Sequence, residues 1–212
     1  MPISNYEQTR NRMRQAFLKY DQRKMAEKFH LKQDEQYLYV NFCSRNYGIE
    51  RGTGTVVWWK DGSRIEADFN VSMTIYDVLC CSAQDCHPAG RYCSLYAAKG
   101  CVKTVQVGDK LFQPTAEYFS GHLDLLRAVC SRLGRLSSIK GDLSAVIPVF
   151  DFLPVCLRFW DADEEFPASL QILYDENILD FMRFETVFYM ADHLLGRLKE
   201  TAAQMADSAQ TP

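Results

Sequence analysis

Six residues between positions 80 and 101 are the first in this chain to invite chemistry: Cys80, Cys81, Cys86, His87, Cys93 and Cys101. Thiolates and imidazoles are the ligands of zinc, and thiolates hold iron–sulfur clusters. The spacing here is wide: four residues separate Cys81 from Cys86, six separate Cys86 from Cys93, and seven separate Cys93 from Cys101. Zinc ribbons and fingers use closer pairs. A plant-type ferredoxin shares the first step, but its next cysteine follows sooner than Cys93 does. Cys81, Cys86, His87 and Cys93 form the candidate metal or cluster site, set against plain buried thiols and against redox chemistry. Eight cysteines are many for 212 residues. In a reducing compartment they are expected as thiols or ligands, not as a disulfide frame.

The second candidate is Asp161-Ala162-Asp163-Glu164-Glu165, flanked by Trp160 and by Phe166-Pro167. Clustered carboxylates repel one another and demand water, a cation or a basic partner. One of them buried beside Trp160 would have its pKa raised, which suits acid–base work. A solvated loop is the plainer reading. The loop is no EF-hand, because Phe166 stands where that motif needs Gly and Ile172 where it needs Glu. Trp160, Asp161, Asp163 and Glu165 are the ligand candidates, with Asp175 behind them and Arg45 and Arg91 as counter-ions for an anionic group. Serine-hydrolase and zinc-peptidase motifs are absent. Gly52-x-Gly54 lacks the third glycine, the helix and the Lys-Ser/Thr of a phosphate loop.

The acidic run lies between two stretches of period-two alternation, Pro154 to Trp160 and Ala168 to Tyr174, which predict an antiparallel hairpin. Further strands are predicted over Gln36 to Phe42, Thr53 to Trp59, Arg64 to Phe69 and Ala145 to Phe150. Asp61-Gly62 makes the second and third of these a hairpin, and Pro148 marks a bulge or an edge. Ser44 to Gly48 reads as a turn, and Gly100 to Phe112 as one or two short strands. Helical stripes predict a helix from Ser4 to Phe29, with Ser4 and Glu7 as a capping box. Others are predicted from Ser72 to Gln84, from Pro114 to Gly134 with His122 on the apolar side, and through Phe184 to Leu198. The expected fold is α+β: a mainly antiparallel sheet of hairpins packed with N-terminal, central and C-terminal helices. It forms a single domain over residues 1–200, and residues 201–212 are expected to fray.

Net charge is −3, so there is no basic excess to neutralise phosphates and no nucleic-acid partner is expected. No apolar run reaches a membrane span and no apolar leader opens the chain, so a cytoplasmic protein is predicted. The first helix is locally basic, which offers a docking surface for a partner protein.

Trp160, Asp163, Glu165, Phe166 and Pro167, then Leu173-Tyr174-Asp175 and Glu185, resemble the C-terminal signature of the bacterial and archaeal family "domain of unknown function 3786". Ala89-Gly90-Arg91-Tyr92 and the segment around Asn41-Phe42 are similar to it as well, and the likeness spans residues 5–200. The family's name carries no reaction. Some relatives carry an iron–sulfur domain and many come from anaerobes, whereas this chain has no CxxC pair. The clustered thiols and the acidic loop, together with the iron–sulfur company that the resemblance implies, point to a cytoplasmic accessory protein of anaerobic metabolism that binds a metal, an iron–sulfur cluster or a tetrapyrrole-like cofactor. Two other readings stand beside it: an enzyme working through the acidic loop, and a protein-interaction module.

Overall fold

The computed structural model describes residues 4–102 and 109–210. The first predicted helix is two. Ser4 caps α1 (Asn5–Phe17) through the Glu7 N–H at 3.2 Å. Asp21 then takes the N–H groups of Arg23 and Lys24 at 3.1 and 3.2 Å and starts α2 (Gln22–Phe29). His30 closes α2 in the left-handed region, with φ 52°.

β1 (Tyr37–Phe42) and β2 (Arg45–Glu50) form a hairpin about Cys43 and Ser44, both at positive φ. The turn expected over Ser44 to Gly48 is therefore only its first residue; the rest is strand. β3 (Val56–Lys60) and β4 (Ser63–Glu66) turn on Asp61-Gly62 as the dipeptide predicts, with φ 50° and 77°. Asp68, not Ser72, caps α3 (Phe69–Cys81) through the Val71 N–H at 2.9 Å.

β5 (Tyr92–Cys93) follows a loop. The helix predicted after Pro114 is also two, α4 (Gln113–Phe119) and α5 (Leu123–Leu133), with Gly134 ending the second. Exposed His122 precedes α5 and is no core histidine. The strands expected over Gly100 to Phe112 fall mostly outside the described residues, and Asp109–Leu111 is a single helical turn.

β6 (Arg135–Leu136), β7 (Leu143–Phe150), β8 (Leu153–Trp160) and β9 (Ser169–Asp175) complete the strands, and α6 (Ile178–Phe181) and α7 (Phe184–Gln210) the helices. α7 runs through the segment expected to fray, because Thr201 and Ala202 are buried. The register of β7 shifts between Pro148 and Phe150, the bulge that the proline announces.

The strands make one antiparallel sheet in the order β4-β3-β2-β1-β7-β8-β9-β5, with β6 also on β7. This is an α+β fold. Its two halves join where Phe42 faces Phe150, their rings stacked at 4.7 Å. α3 and α5 pack against α7, α1 against α3, and α5 also against β7. Leu38, Val40 and Phe42 of β1 are buried, while Tyr37, Tyr39 and Asn41 on the other face are half-exposed. Apolar burial on the helical face is the main stabilising contribution. No helix among the described residues is long and apolar enough to cross a membrane.

Candidate functional site

The open face of β1–β3 is where the surface turns concave. Antiparallel register sets Tyr39 opposite Gly48 and Asn41 opposite Asn46, and Gly48 opposite Val57 brings Trp59 onto the same face. Gly48 has no side chain, and the Trp59 indole fills its place. A Cβ at position 48 would lie 2.8 Å from Trp59 Cη2 and 2.9 Å from Tyr37 Cδ1. Tyr37 meets the indole edge-on at 5.3 Å, and Trp59 remains 40% exposed. A large aromatic left open on a strand is a stacking surface.

Around it lies a cleft of about 740 Å³, a usual size for a small-molecule site. Its floor carries Tyr39, Asn41, Asn46 and Trp59, and its walls are residues 29–32 and the β7–β8 turn, Asp151 and Phe152. Phe29 stacks on Phe152 at 4.3 Å, so the end of α2 and the turn close the same side. Asn41 donates from Nδ2 to Asp151 Oδ1 at 2.8 Å, fixing both polar groups.

The rim is held by Asp34, which accepts the N–H groups of Gln36 and Tyr37 and the Tyr39 hydroxyl at 2.8, 2.7 and 2.7 Å. The Tyr39 bond, with those two N–H groups, keeps the Asp34 carboxyl below its ordinary pKa. The same bond raises the Tyr39 phenol, so Tyr39 stays a donor with its ring oriented. Arg51 Nη1 donates to the Asp34 carbonyl at 2.8 Å and ties this loop to the end of β2.

A family model, domain of unknown function (DUF3786), matches residues 21–197. The chain belongs to the DUF3786 family. No curated protein and no solved structure matches it.

The residues that carried the DUF3786 likeness mostly hold the fold. Fully buried Asp175 accepts the N–H groups of Ala89, Gly90 and Asn177 at 2.9, 2.8 and 2.9 Å. That carboxylate pins the Ala89-Gly90-Arg91-Tyr92 loop beside Leu173-Tyr174-Asp175, where Tyr92 faces Asp175 in the sheet. Arg91 is paired with Glu176, which also holds Lys99 at 2.8 Å. Those two cations pull the Glu176 carboxyl down to about 2. Asp175 and Arg91 are thus engaged within the protein rather than presented to a ligand.

Arg45 is likewise engaged, on the helical side: it pairs with Glu200 and lies 3.9 Å over the Trp58 ring. Trp160 lies beside Arg158, 5.0 Å from guanidinium to ring. Asp161 Oδ1 accepts the Gly121 and Ala162 N–H groups, each at 2.8 Å, so the hairpin tip is anchored to the turn before α5. Asp163 takes the N–H groups of Glu165 and Phe166 at 2.9 and 2.7 Å, which lowers its pKa. Glu164 and Glu165 are exposed, and none of the four carboxylates lines the cleft.

The thiol set is not drawn together. Cys81 ends α3 and receives Arg183 Nη2 at 3.3 Å, Cys86 and His87 lie in the following loop, and Cys93 sits on β5 opposite Tyr174. Among the described residues no three His, Cys, Asp or Glu side chains converge to hold a metal ion. Burial raises the thiol pKa of Cys81, Cys86 and Cys93 and pushes Cys80 to about 12. A protonated thiol is a poor ligand and a poor nucleophile.

The sequence predicts the strand over Gln36 to Phe42 but not the cleft above it. Two signals were present: an aromatic–amide face where water was expected, and a glycine inside a strand. The missing information was the pairing that brings Asp151 to Asn41.

Proposed function

We propose that this DUF3786 protein binds a flat, conjugated small molecule in the β1–β3 cleft, as an accessory or carrier protein rather than as a catalyst. The observation that carries the proposal is Trp59, its ring edge seated against Gly48 and its side chain lining a cleft of about 740 Å³. The indole supplies a stacking surface, Phe29 and Phe152 supply apolar walls, and Asn41, Asn46 and Asp151 supply polar groups that fix orientation. Of the cofactors expected from the sequence, a tetrapyrrole-like ring shares the required flatness. A metal or cluster at the cysteines draws no comparable support, since its ligands lie apart.

The other two readings draw less support. Asp161 and Asp163 spend their carboxylates on nearby backbone N–H groups, which leaves little for acid–base work. The basic face of α1 is partly neutralised, because Arg10 and Arg14 pair with Glu66 at 3.5 and 2.7 Å. Equilibrium binding of protoporphyrin IX and flavin mononucleotide, with wild type and Trp59→Ala, tests the proposal. Binding of either probe that is lost in the variant supports it; the same affinity in both proteins refutes it.

A further inference from the structure

The polar wall of the cleft says which edge of a ring it would accept. Asn41 spends its amide N–H on Asp151 Oδ1 at 2.8 Å. That bond fixes the side chain and leaves its carbonyl oxygen and its second N–H free. Asp151 keeps its second carboxylate oxygen. The Asp151 carboxylate is therefore an open acceptor on the wall, next to the Asn41 amide of the floor, and neither side chain has another hydrogen-bond partner among the described residues. An ionised carboxylate accepts only, and an oriented amide oxygen does the same. A ring that presents its own acceptors there is repelled, and one that presents N–H groups is held by a charge-assisted hydrogen bond.

Lys32 lines the same cleft. Its side chain is exposed, and no carboxylate among the described residues pairs with it. An ammonium left open beside a stacking surface complements an acidic substituent on the ring.

We infer that the ligand is an amino-substituted heterocycle, of the purine or pterin kind, that bears a phosphate or carboxylate. Its ring stacks on Trp59, its N–H edge faces Asp151 and Asn41, and its acidic group lies toward Lys32. This rests on the flat-ring reading above and narrows it.

Guanosine monophosphate and inosine monophosphate share the ring N1–H and differ only in the exocyclic amine, so their comparison isolates that second donor of the edge. Calorimetric titration of the full chain is expected to give guanosine monophosphate at least about tenfold tighter binding. Asp151→Asn is expected to bring the two ligands to the same affinity, because the new amide no longer offers a charged acceptor. Lys32→Ala is expected to weaken guanosine monophosphate but not guanosine. Unchanged melting of each variant shows that the fold is intact, and Asp151→Ser serves if the Asn variant melts early. Equal affinity for the two nucleotides, or discrimination that survives Asp151→Asn, overturns the inference. If protoporphyrin IX or flavin mononucleotide binds through Trp59 while guanosine monophosphate does not, the inference falls and the flat-ring proposal stands. If no flat probe responds to Trp59→Ala, both fall.

Discussion

Trp59 lies against Gly48 so closely that a single methyl group on the glycine would reach 2.8 Å from the far edge of the indole. The strand tolerates a residue of poor β propensity there because a neighbouring ring takes the empty place. Gly48→Ala is therefore expected to tilt Trp59 away from Tyr37 and spoil the stacking surface. Flat-probe affinity should fall by about tenfold or more, with only a small drop in melting temperature. Tryptophan emission should shift to the red as the ring gains water.

Asp175 is a fully buried carboxylate satisfied by three backbone N–H groups. An asparagine there keeps the shape but must turn an NH2 group toward donors. Asp175→Asn is expected to cost about 3 kcal/mol in urea unfolding. The damage should show as faster hydrogen exchange at Ala89, Gly90 and Tyr92, which the carboxylate holds to the sheet.

His193 on α7 packs against Phe42 at 4.6 Å and meets the Tyr47 hydroxyl at 3.2 Å. Burial, then Arg45 and Arg197, pull its pKa from 6.5 down to about 3, against the opposing pull of Glu200. The folded state thus refuses a proton that the unfolded chain accepts. The stability from neutral His193 is full above pH 6.5 and is lost progressively as pH falls from 6.5 toward 3. His193→Gln does not titrate, so its unfolding midpoint should fall less on acidification than that of wild type. Urea unfolding above and below pH 6.5 measures the difference.

The cysteines of the described residues are free thiols. Cys43, Cys130 and Cys156 are fully buried, and burial raises all three. Iodoacetamide should leave these three unmodified in the native protein and label them after denaturation, as peptide mass spectrometry would show. Because Cys81, Cys86, His87 and Cys93 do not converge, chelation with EDTA is expected to leave the melting temperature unchanged. A fall of several degrees would return a metal to the loop.

The local signals in the sequence were sound. Asp61-Gly62 made its turn, Pro148 its bulge, and the alternation in Pro154 to Trp160 its strand. Asp21 was passed over as a helix start because the apolar stripe runs on across the break, and Asp68 lost to Ser72 for a similar reason. The cleft was the least legible part. Chemistry-bearing residues cluster along the chain at 80–101 and 161–165, yet the fold spends those it describes on turns, caps and packing. The cleft instead collects residues from α2 to the β7–β8 turn, and Asn41 lies 110 positions from Asp151. No local pattern encodes such a pairing.

The most direct test of where the ligand sits is amide chemical-shift mapping by NMR during titration with whichever flat probe binds. The expected result is a contiguous set of shifts over residues 30–48, at Trp59 and at Asp151 and Phe152, with the rest of the chain quiet. Shifts centred instead on Cys81 to Cys93, or on Asp161 to Phe166, would contradict the cleft and restore one of the sites that the sequence alone suggested.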